Sequence, residues 1–198
     1  MAHSVDEGKG FFEDWLAHFA RPLNFSRFLD IGCGAGVYGK IIRLVFAERV
    51  QIDAIEIFPE YVRRYNLGRI YDEVVIGDIR NREIIEGIAE YDLIIMGDVL
   101  EHLEAYDAVR IAKEMSRKAK FLWCALPLKM DRPWSRGWMQ NEEEYRENPA
   151  GKHLHDWTGP EIFASFDILW LVPYIHTGIF LIEGKETGYE KERLDRTR

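Results

Sequence analysis

Cysteine and long apolar runs are both scarce in this chain of 198 residues. Its two cysteines, Cys33 and Cys124, are too few for a disulfide framework and lack the spacing of metal ligands, which favours a reducing compartment. No apolar run approaches the ~18 residues that a membrane span requires. The N-terminus has no basic segment followed by an apolar one, so no signal peptide is expected. We therefore predict a cytoplasmic protein that does not bind a membrane.

Positive charge is also in deficit. The chain has 26 lysines and arginines against 34 aspartates and glutamates, a formal net charge of −8. A nucleic-acid partner selects a basic face because every phosphate of its backbone is negative, so this balance argues against such a partner. With 47% hydrophobic residues and only 7 prolines, the composition is that of an ordinary globular protein.

The pattern that the sequence does contain is an alternation of short apolar runs with helix-like segments. Strand-length runs occur at residues 27–31, 50–57, 73–77, 91–96, 120–126, 167–174 and 178–183, and helical spacing at 7–20, 37–48, 80–89 and 104–118. Strands that alternate with helices predict a parallel sheet covered on both faces. Only three residues separate the last two runs, too few for a crossover, so these should pair antiparallel. The expected fold is α/β: a doubly wound, Rossmann-like, seven-stranded sheet, mostly parallel with an antiparallel C-terminal hairpin strand.

One domain is expected over residues 1–183, followed by a charged tail at 184–198. The helix at 7–20 carries four aromatic side chains that should cover the sheet edge or a cofactor cleft, namely Phe11, Phe12, Trp15 and Phe19. Residues 128–157 have no clear period, and a segment of this length in a small domain is usually either functional or disordered. We predict that it forms the substrate side of the site.

The most informative segment, LDIGCGAG at residues 29–36, is a strand that ends in alternating glycines and enters a helix. Such glycines allow a tight turn and a close approach of a ligand to the backbone. The helix start that follows offers N–H groups to an anion. Residues 34–39 also satisfy G-x-G-x-x-G, the dinucleotide pattern, and a tight turn without any ligand is the simpler alternative.

Three acidic residues follow the next predicted strands. Glu56 could accept hydrogen bonds from both hydroxyls of a ribose, and Asp78 could accept one from an exocyclic amine or cap its own turn. Asp98 begins the sequence DVLEHL, which ends at Leu103. All of these positions lie at the carboxyl ends of parallel strands, where an open α/β sheet binds ligands.

In this order, residues 30–36, Glu56, Gly77-Asp78 and the DVLEHL segment resemble the successive motifs of class I S-adenosylmethionine-dependent methyltransferases. Residues 153–161 also resemble a stretch found after the fifth strand in small-molecule members. The resemblance implies S-adenosylmethionine as cofactor and S-adenosylhomocysteine as product. It implies that the glycines line the methionine moiety, Asp30 orients its amino group, Glu56 binds the ribose and Asp78 the adenine amine. The implied cofactor-binding residues are Asp30, Gly32, Cys33, Gly34, Gly36, Glu56, Ile57, Phe58, Asp78, Ile79, Asp98, Val99 and His102.

The expected reaction is methyl transfer to an oxygen or nitrogen atom of a small-molecule acceptor. A base is needed only if the acceptor must lose a proton, and histidine titrates near neutral pH. The candidate catalytic residues are therefore His102, His153 and His155. The acceptor segment also offers Trp134, Trp138, Tyr145 and Trp157 as apolar walls, and Arg132 and Arg136 as polar contacts.

Alternatives stay open at this point. An NAD(P)-dependent oxidoreductase could use the same glycine loop, and a non-catalytic protein could bind S-adenosylmethionine without transferring its methyl group. The residues Asp98, Glu101, His102, His153 and His155 could assemble a metal site, but they lack the helical i, i+4 spacing of histidine pairs, so no metal is expected. The Gly-Asp-Val-Leu sequence at 97–100 differs from the Asn/Asp-Pro-Pro-aromatic motif of amino-methylating nucleic-acid enzymes.

Overall fold

Seven strands form one sheet in the computed structural model, which describes residues 8–47, 50–128, 148–154, 157, 160–173 and 177–184. The strands are β1 Arg27–Ile31, β2 Gln51–Glu56, β3 Glu73–Ile76, β4 Tyr91–Gly97, β5 Ala119–Pro127, β6 Ile168–Pro173 and β7 Thr177–Glu183. Their order across the sheet is β3-β2-β1-β4-β5-β7-β6. The predicted seven strands are confirmed, with bounds that differ by at most a few residues.

The strand directions also agree with the prediction. Strands β1 to β5 pair in parallel, whereas β7 pairs antiparallel with β5 on one side and with β6 on the other. Strand β7 is thus the one strand of the described sheet that runs against the rest. The fold is therefore the doubly wound α/β sheet with an antiparallel C-terminal hairpin strand.

Five α-helices connect or flank the strands in the described part of the chain: α1 Lys9–Trp15, α2 Val37–Phe46, α3 Pro59–Arg64, α4 Arg82–Gly87 and α5 Ala105–Ser116. Helix α1 continues as a wider π-helical turn over Leu16–Ala20, so the predicted helix at 7–20 is one continuous helical segment from Lys9. Short 3-10 turns occur at Leu67–Arg69, Leu100–His102, Pro149–Gly151 and Pro160–Phe163. Within the described ranges no helix is long and apolar enough to span a membrane.

The alternation of side chains along each strand divides the core between two faces of the sheet. In β4, Ile94 and Met96 pack with helices α4 and α5, whereas Leu93 and Ile95 pack with α1 and α2. Both faces are covered, which explains why β4 is apolar from Leu93 to Met96 rather than alternating. Cys124 is fully buried in the first of these clusters, as expected for a small apolar side chain.

Helix α1 covers a face of the sheet rather than its edge. The rings of Phe12 and Trp15 lie 4.8 and 5.6 Å from the ring of Trp123 on β5, and Phe11 also contacts Trp170 on β6. Such aromatic pairs bury large apolar areas. The helix therefore anchors the N-terminus over β5 to β7, with its first residue near the carboxyl ends of the strands.

Asp92 connects the amino-terminal ends of the central strands, at the edge of the sheet opposite the carboxyl ends. One oxygen accepts hydrogen bonds from the backbone N–H groups of Ser26 (2.7 Å) and Arg27 (3.0 Å), and the other pairs with Lys120 at 2.7 Å. The carboxylate thus links the starts of β1, β4 and β5. This is the structural role expected for an aspartate that precedes an apolar strand.

Candidate active site

The loop after β1 depends on glycine at two positions. Gly32 and Gly36 have φ values of 68° and 72°, in the left-handed region that other residues seldom adopt. A Cβ atom on Gly32 would lie 2.6 Å from Cγ2 of Val99, and one on Gly36 would lie 2.7 Å from Cδ1 of Ile70. The loop therefore needs glycine for its backbone conformation and for close packing, and it brings Val99 directly against the end of β1.

Glu56 ends β2 and turns its carboxylate back toward this loop. Its Oε2 accepts a hydrogen bond from the N–H of Gly34 (2.8 Å), and its Oε1 accepts one from the N–H of Phe58 (2.9 Å). Burial raises the pKa of Glu56, while these backbone donors act in the opposite direction. The thiol of Cys33, a weak donor, also lies 4.0 Å from Oε2. Because a carboxylate has about four acceptor positions, each oxygen can accept one hydroxyl, on Oε2 in place of that thiol. The arrangement fits a ribose with two free hydroxyl groups.

Asp30 lies under the glycine loop and is only 1% exposed. The hydroxyl of Tyr71 donates a hydrogen bond of 2.5 Å to its Oδ2. Burial raises the pKa of Asp30 to about 7, against the hydrogen bond from Tyr71 and the nearby charge of Lys9. Sequence reasoning missed Tyr71, because nothing in its neighbourhood marks it as a partner of a residue 41 positions earlier.

The predicted adenine side of the site is more exposed. Asp78 accepts hydrogen bonds from the backbone N–H of Arg80 (2.8 Å) and from its guanidinium group (2.6 Å to Nη2), which lowers the pKa of Asp78. The local turn that was the alternative role for Asp78 is therefore present. Ile57 is 39% exposed beside Glu56, whereas Ile79 is buried. Contacts of these residues with adenine stay a prediction.

Asp98 follows β4 in a left-handed conformation, with φ of 56°, and its N–H donates to the carbonyl of Ala125. Lys9 reaches over from α1: its Nζ lies 4.0 Å from Oδ2 of Asp98 and 3.8 Å from the centre of the Tyr38 ring. Sequence reasoning missed Lys9, although it shares the helical stripe of Phe12. A lysine on the apolar face of a helix indicates a buried charge that needs a partner, and this was the signal in the sequence.

His102 and His153 come together beyond Asp98. Their ring centres lie 4.9 Å apart, and the N–H of Leu154 donates to the carbonyl of Glu101 (2.8 Å), so the segment 148–154 is attached to the turn after β4. Burial and the neighbouring His153 lower the pKa of His102. Burial, with the charge of Asp98, raises the pKa of Glu101 well above its usual range. The structure thus unites two of the three predicted histidines.

The other predicted acceptor residues have mixed outcomes. Six of these residues lie outside the described part of the chain, as does the tail beyond residue 184: Arg132, Trp134, Arg136, Trp138, Tyr145 and His155. Trp157 is described, and it is 3% exposed within the core cluster that also contains Phe163. Its burial suits packing of the segment onto the sheet rather than an open wall.

The glycine loop, Glu56, Asp30 and Asp98 therefore meet at the carboxyl edge of β1, β2 and β4. Residues 29–120 match the family model described as a methyltransferase domain. The chain thus carries a methyltransferase domain and is an S-adenosylmethionine-dependent methyltransferase. The buried Glu56 carboxylate beside the glycine loop fits the ribose of S-adenosylmethionine, the cofactor of this methyltransferase.

Solved structures share the fold of the methyltransferase at low sequence identity. The N-terminal domain of EvdMO1 with SAH bound is 13% identical, with a TM-score of 0.61 over 91% of this chain and 82% of that one. The mitomycin 7-O-methyltransferase MmcR is 19% identical, with a TM-score of 0.61 over 87% of this chain and 52% of that one. The N,N-8-amino-8-demethyl-D-riboflavin dimethyltransferase RosA from Streptomyces davawensis is 19% identical, with a TM-score of 0.56 over 90% and 55%. No curated protein sequence matches the chain significantly.

These findings decide between the alternatives left open by the sequence. The methyltransferase domain and the antiparallel β7 set aside the NAD(P)-dependent oxidoreductase, which would share only the glycine loop. The methyltransferase is an enzyme of the class that the motifs indicated, so a purely non-catalytic binding protein is set aside as well. The roles of the individual site residues stay predictions.

Proposed function

We propose that the methyltransferase moves the methyl group of S-adenosylmethionine to an oxygen or nitrogen atom of a small-molecule acceptor. The observation that carries this proposal is the pair of imidazoles, His102 and His153, with ring centres 4.9 Å apart. His102 lies one 3-10 turn after Val99, the residue that packs against Gly32 of the cofactor loop. Polar, titratable side chains therefore stand beside the predicted methionine end of the cofactor.

The chain's own residues bind, orient and shield the reactants. Bound S-adenosylmethionine supplies a methyl group on a positively charged sulfur, the driving force of the reaction. Glu56 accepts the ribose hydroxyls, and Asp30 orients the amino group of the methionine moiety. His102 and His153 hold the acceptor, and a neutral imidazole accepts its proton where the acceptor has one to lose.

Several observations support a small acceptor. The net charge of −8 disfavours a nucleic-acid backbone. The structural neighbours named above include one O-methyltransferase of mitomycin and one dimethyltransferase of an amino-flavin, which support oxygen or nitrogen as the acceptor atom. The scarcity of cysteine supports a cytoplasmic location.

The test is a transfer assay with S-adenosylmethionine labelled in its methyl group. Panels of phenols, catechols, sugars and primary amines are compared with transfer RNA and duplex DNA. We expect label in at least one small-molecule class and none in either nucleic acid. Label in nucleic acid alone would contradict the proposal.

The histidine pair is tested with His153→Ala, and with the double variant that adds His155→Ala. We expect turnover to fall by about 10², while the Kd for S-adenosylhomocysteine changes less than about threefold, within the scatter of a surface substitution. The control is His18→Ala, because His18 is exposed on the N-terminal helical segment and bonds only its own backbone through the carbonyl of Asp14. Full activity in the double variant would mean that the segment only packs, and equal loss of turnover and cofactor affinity would place the acceptor elsewhere.

A further inference from the structure

Three side chains that could hold a cation meet on the acceptor side of the site. One ligand atom from each of Glu101, His102 and His153 lies within 4.8 Å of the other two. His102 and His153 are 51 positions apart, so the sequence spacing that argued against a metal could not show this cluster. The tertiary structure therefore brings together ligand groups that no local spacing pairs.

Glu101 is buried, and the protein satisfies its carboxylate only in part. It is 1% exposed, and its Oε2 has no hydrogen-bond partner among the described residues. Nδ1 of His102 is likewise inaccessible to solvent and without a partner in that part of the chain. Buried polar atoms are nearly always bonded, because desolvation without compensation is unfavourable. Two such atoms in one cluster indicate that a ligand completes it.

Lys9 lies near this region and contacts Asp98 and Tyr38. Its Nζ approaches Asp98 at 4.0 Å and lies over the ring of Tyr38. Among the described residues, Glu101 has no ion pair of its own, whereas Asp98 has this one. Asp98 and Lys9 both act on the charge of Glu101, Asp98 more strongly, so the local potential remains one that attracts a cation.

The backbone fixes the ligand-bearing segments before any ion binds. Glu101 and His102 belong to the 3-10 turn Leu100–His102, and His153 precedes Leu154, whose N–H donates to the carbonyl of Glu101 at 2.8 Å. The side chain of Asn148 accepts from the N–H of Ala150 and shapes the turn before His153. A backbone hydrogen bond thus holds the two segments together. Rotation of the side chains is then sufficient to bring the three ligand atoms onto one ion.

We propose that Glu101, His102 and His153 bind one divalent first-row transition-metal ion. Imidazole nitrogens suit zinc, iron, copper or nickel better than calcium, and two histidines with one carboxylate leave coordination positions open. With metal–ligand bonds of about 2.1 Å, bound atoms lie up to about 4.2 Å apart. A span of 4.8 Å therefore needs only small rotations of the imidazole rings.

The position of the cluster gives the ion a role that rests on the proposed function. Val99 packs against the cofactor loop, and His102 follows it by one 3-10 turn, so the open coordination positions face the acceptor side. An acceptor hydroxyl that binds there loses its proton to water more readily, since the cation stabilises the oxyanion. The site then selects oxygen acceptors, above all those with two adjacent hydroxyls. With the ion bound, water takes the proton that a neutral imidazole accepts in the metal-free site.

The test uses the full chain, without an affinity tag and stripped of metal, titrated with Co²⁺ as the probe. We expect one equivalent of Co²⁺ to bind with visible absorption bands of a nitrogen- and oxygen-coordinated ion. Glu101→Gln and His153→Ala should each weaken binding by about tenfold or more, and His18→Ala should leave it unchanged. His153→Ala removes a side chain from a partly exposed segment, so it keeps the test decisive if Glu101→Gln does not fold.

No Co²⁺ binding by the parent protein, or equally tight binding by His153→Ala, would overturn the metal site. Calorimetry with S-adenosylhomocysteine on the metal-free protein is run in parallel and reports on the cofactor site alone. Retained binding of S-adenosylhomocysteine with no Co²⁺ binding overturns this inference and leaves the proposed function standing. Loss of both overturns the metal site and counts against the proposed function too.

Discussion

Buried carboxylates on the two sides of the site have very different surroundings. On the cofactor side, Glu56 accepts hydrogen bonds from two backbone N–H groups, and Asp30 accepts one from Tyr71. On the acceptor side, Glu101 is equally buried, but its Oε2 has no partner in the described part of the chain. The first side is preorganised by the protein itself, whereas the second has buried polar atoms that have no partner among the described residues.

This difference follows from how the two sides are built. The cofactor side uses neighbouring parallel strands and the loop between β1 and α2, whose backbone donors lie next to the acids. The acceptor side uses the turn after β4 and the segment 148–154, which come from distant parts of the chain. We expect substitutions on the cofactor side to change stability and cofactor affinity together, and substitutions on the acceptor side to change turnover or cation binding alone.

Gly32→Ala should have the largest effect on the cofactor side. The left-handed φ of 68° and the 2.6 Å approach of Val99 together should lower the free energy of unfolding by about 2–4 kcal/mol. Affinity for S-adenosylhomocysteine should fall with it, because the loop backbone must shift. Urea denaturation and calorimetry measure the two quantities.

Gly10→Ala is the matched control for that glycine. Gly10 lies in α1, and a Cβ atom there would meet nothing within 4 Å. We expect it to stabilise the protein by about 0.5–1 kcal/mol, the helix preference of alanine over glycine. Equal, small effects of both substitutions would show that the loop after β1 tolerates a side chain and is not preorganised.

Glu56→Ala should have the next largest effect. Loss of charge-assisted bonds to two ribose hydroxyls should reduce binding by about 1–3 kcal/mol, a tenfold or greater rise in the Kd for S-adenosylhomocysteine. Glu73→Ala is the control, because Glu73 is exposed at the start of β3, at the other end of the sheet. Unchanged affinity in Glu56→Ala would show that Glu56 ends β2 without binding the ribose.

The pH dependence of Asp30 tests the cofactor side through its charge instead of its shape. Burial raises its pKa from 3.8 to about 7 in the folded protein, so between these values the folded state holds a proton that the unfolded state releases. The stability of the ligand-free protein should therefore fall as pH rises from about 4 to about 7. Asp30→Asn should flatten this slope in thermal denaturation followed across pH.

The same group should make cofactor binding depend on pH. The positive amino group of the methionine moiety favours ionised Asp30, so the Kd for S-adenosylhomocysteine should be up to about tenfold lower at pH 8 than at pH 6. Asp30→Asn should remove the difference. A pH-independent Kd in the parent protein would place the amino group away from Asp30.

Local patterns in the sequence were sufficient for the cofactor side. The alternating glycines, Glu56 and Asp98 each follow a strand that its apolar run marks clearly, and parallel strands bring their carboxyl ends to one edge. The role of Asp92 was likewise predictable, since it stands at the start of an apolar strand. Lys9 could have been found from its place on the apolar stripe of α1, but Tyr71 had no local signal.

The sequence by itself thus determined the number and directions of the strands, the antiparallel end of the sheet and the methyltransferase motifs, because each depends on short-range periodicity and on residues at strand ends. Only the tertiary structure decided which side chains meet on the acceptor side. Glu101, His102 and His153 come together because the segment 148–154 is bonded to the turn after β4, a contact between residues about fifty positions apart. Burial, which leaves Glu101 without a partner and raises the pKa of Asp30, likewise arises from packing of the whole chain, and no local pattern encodes it.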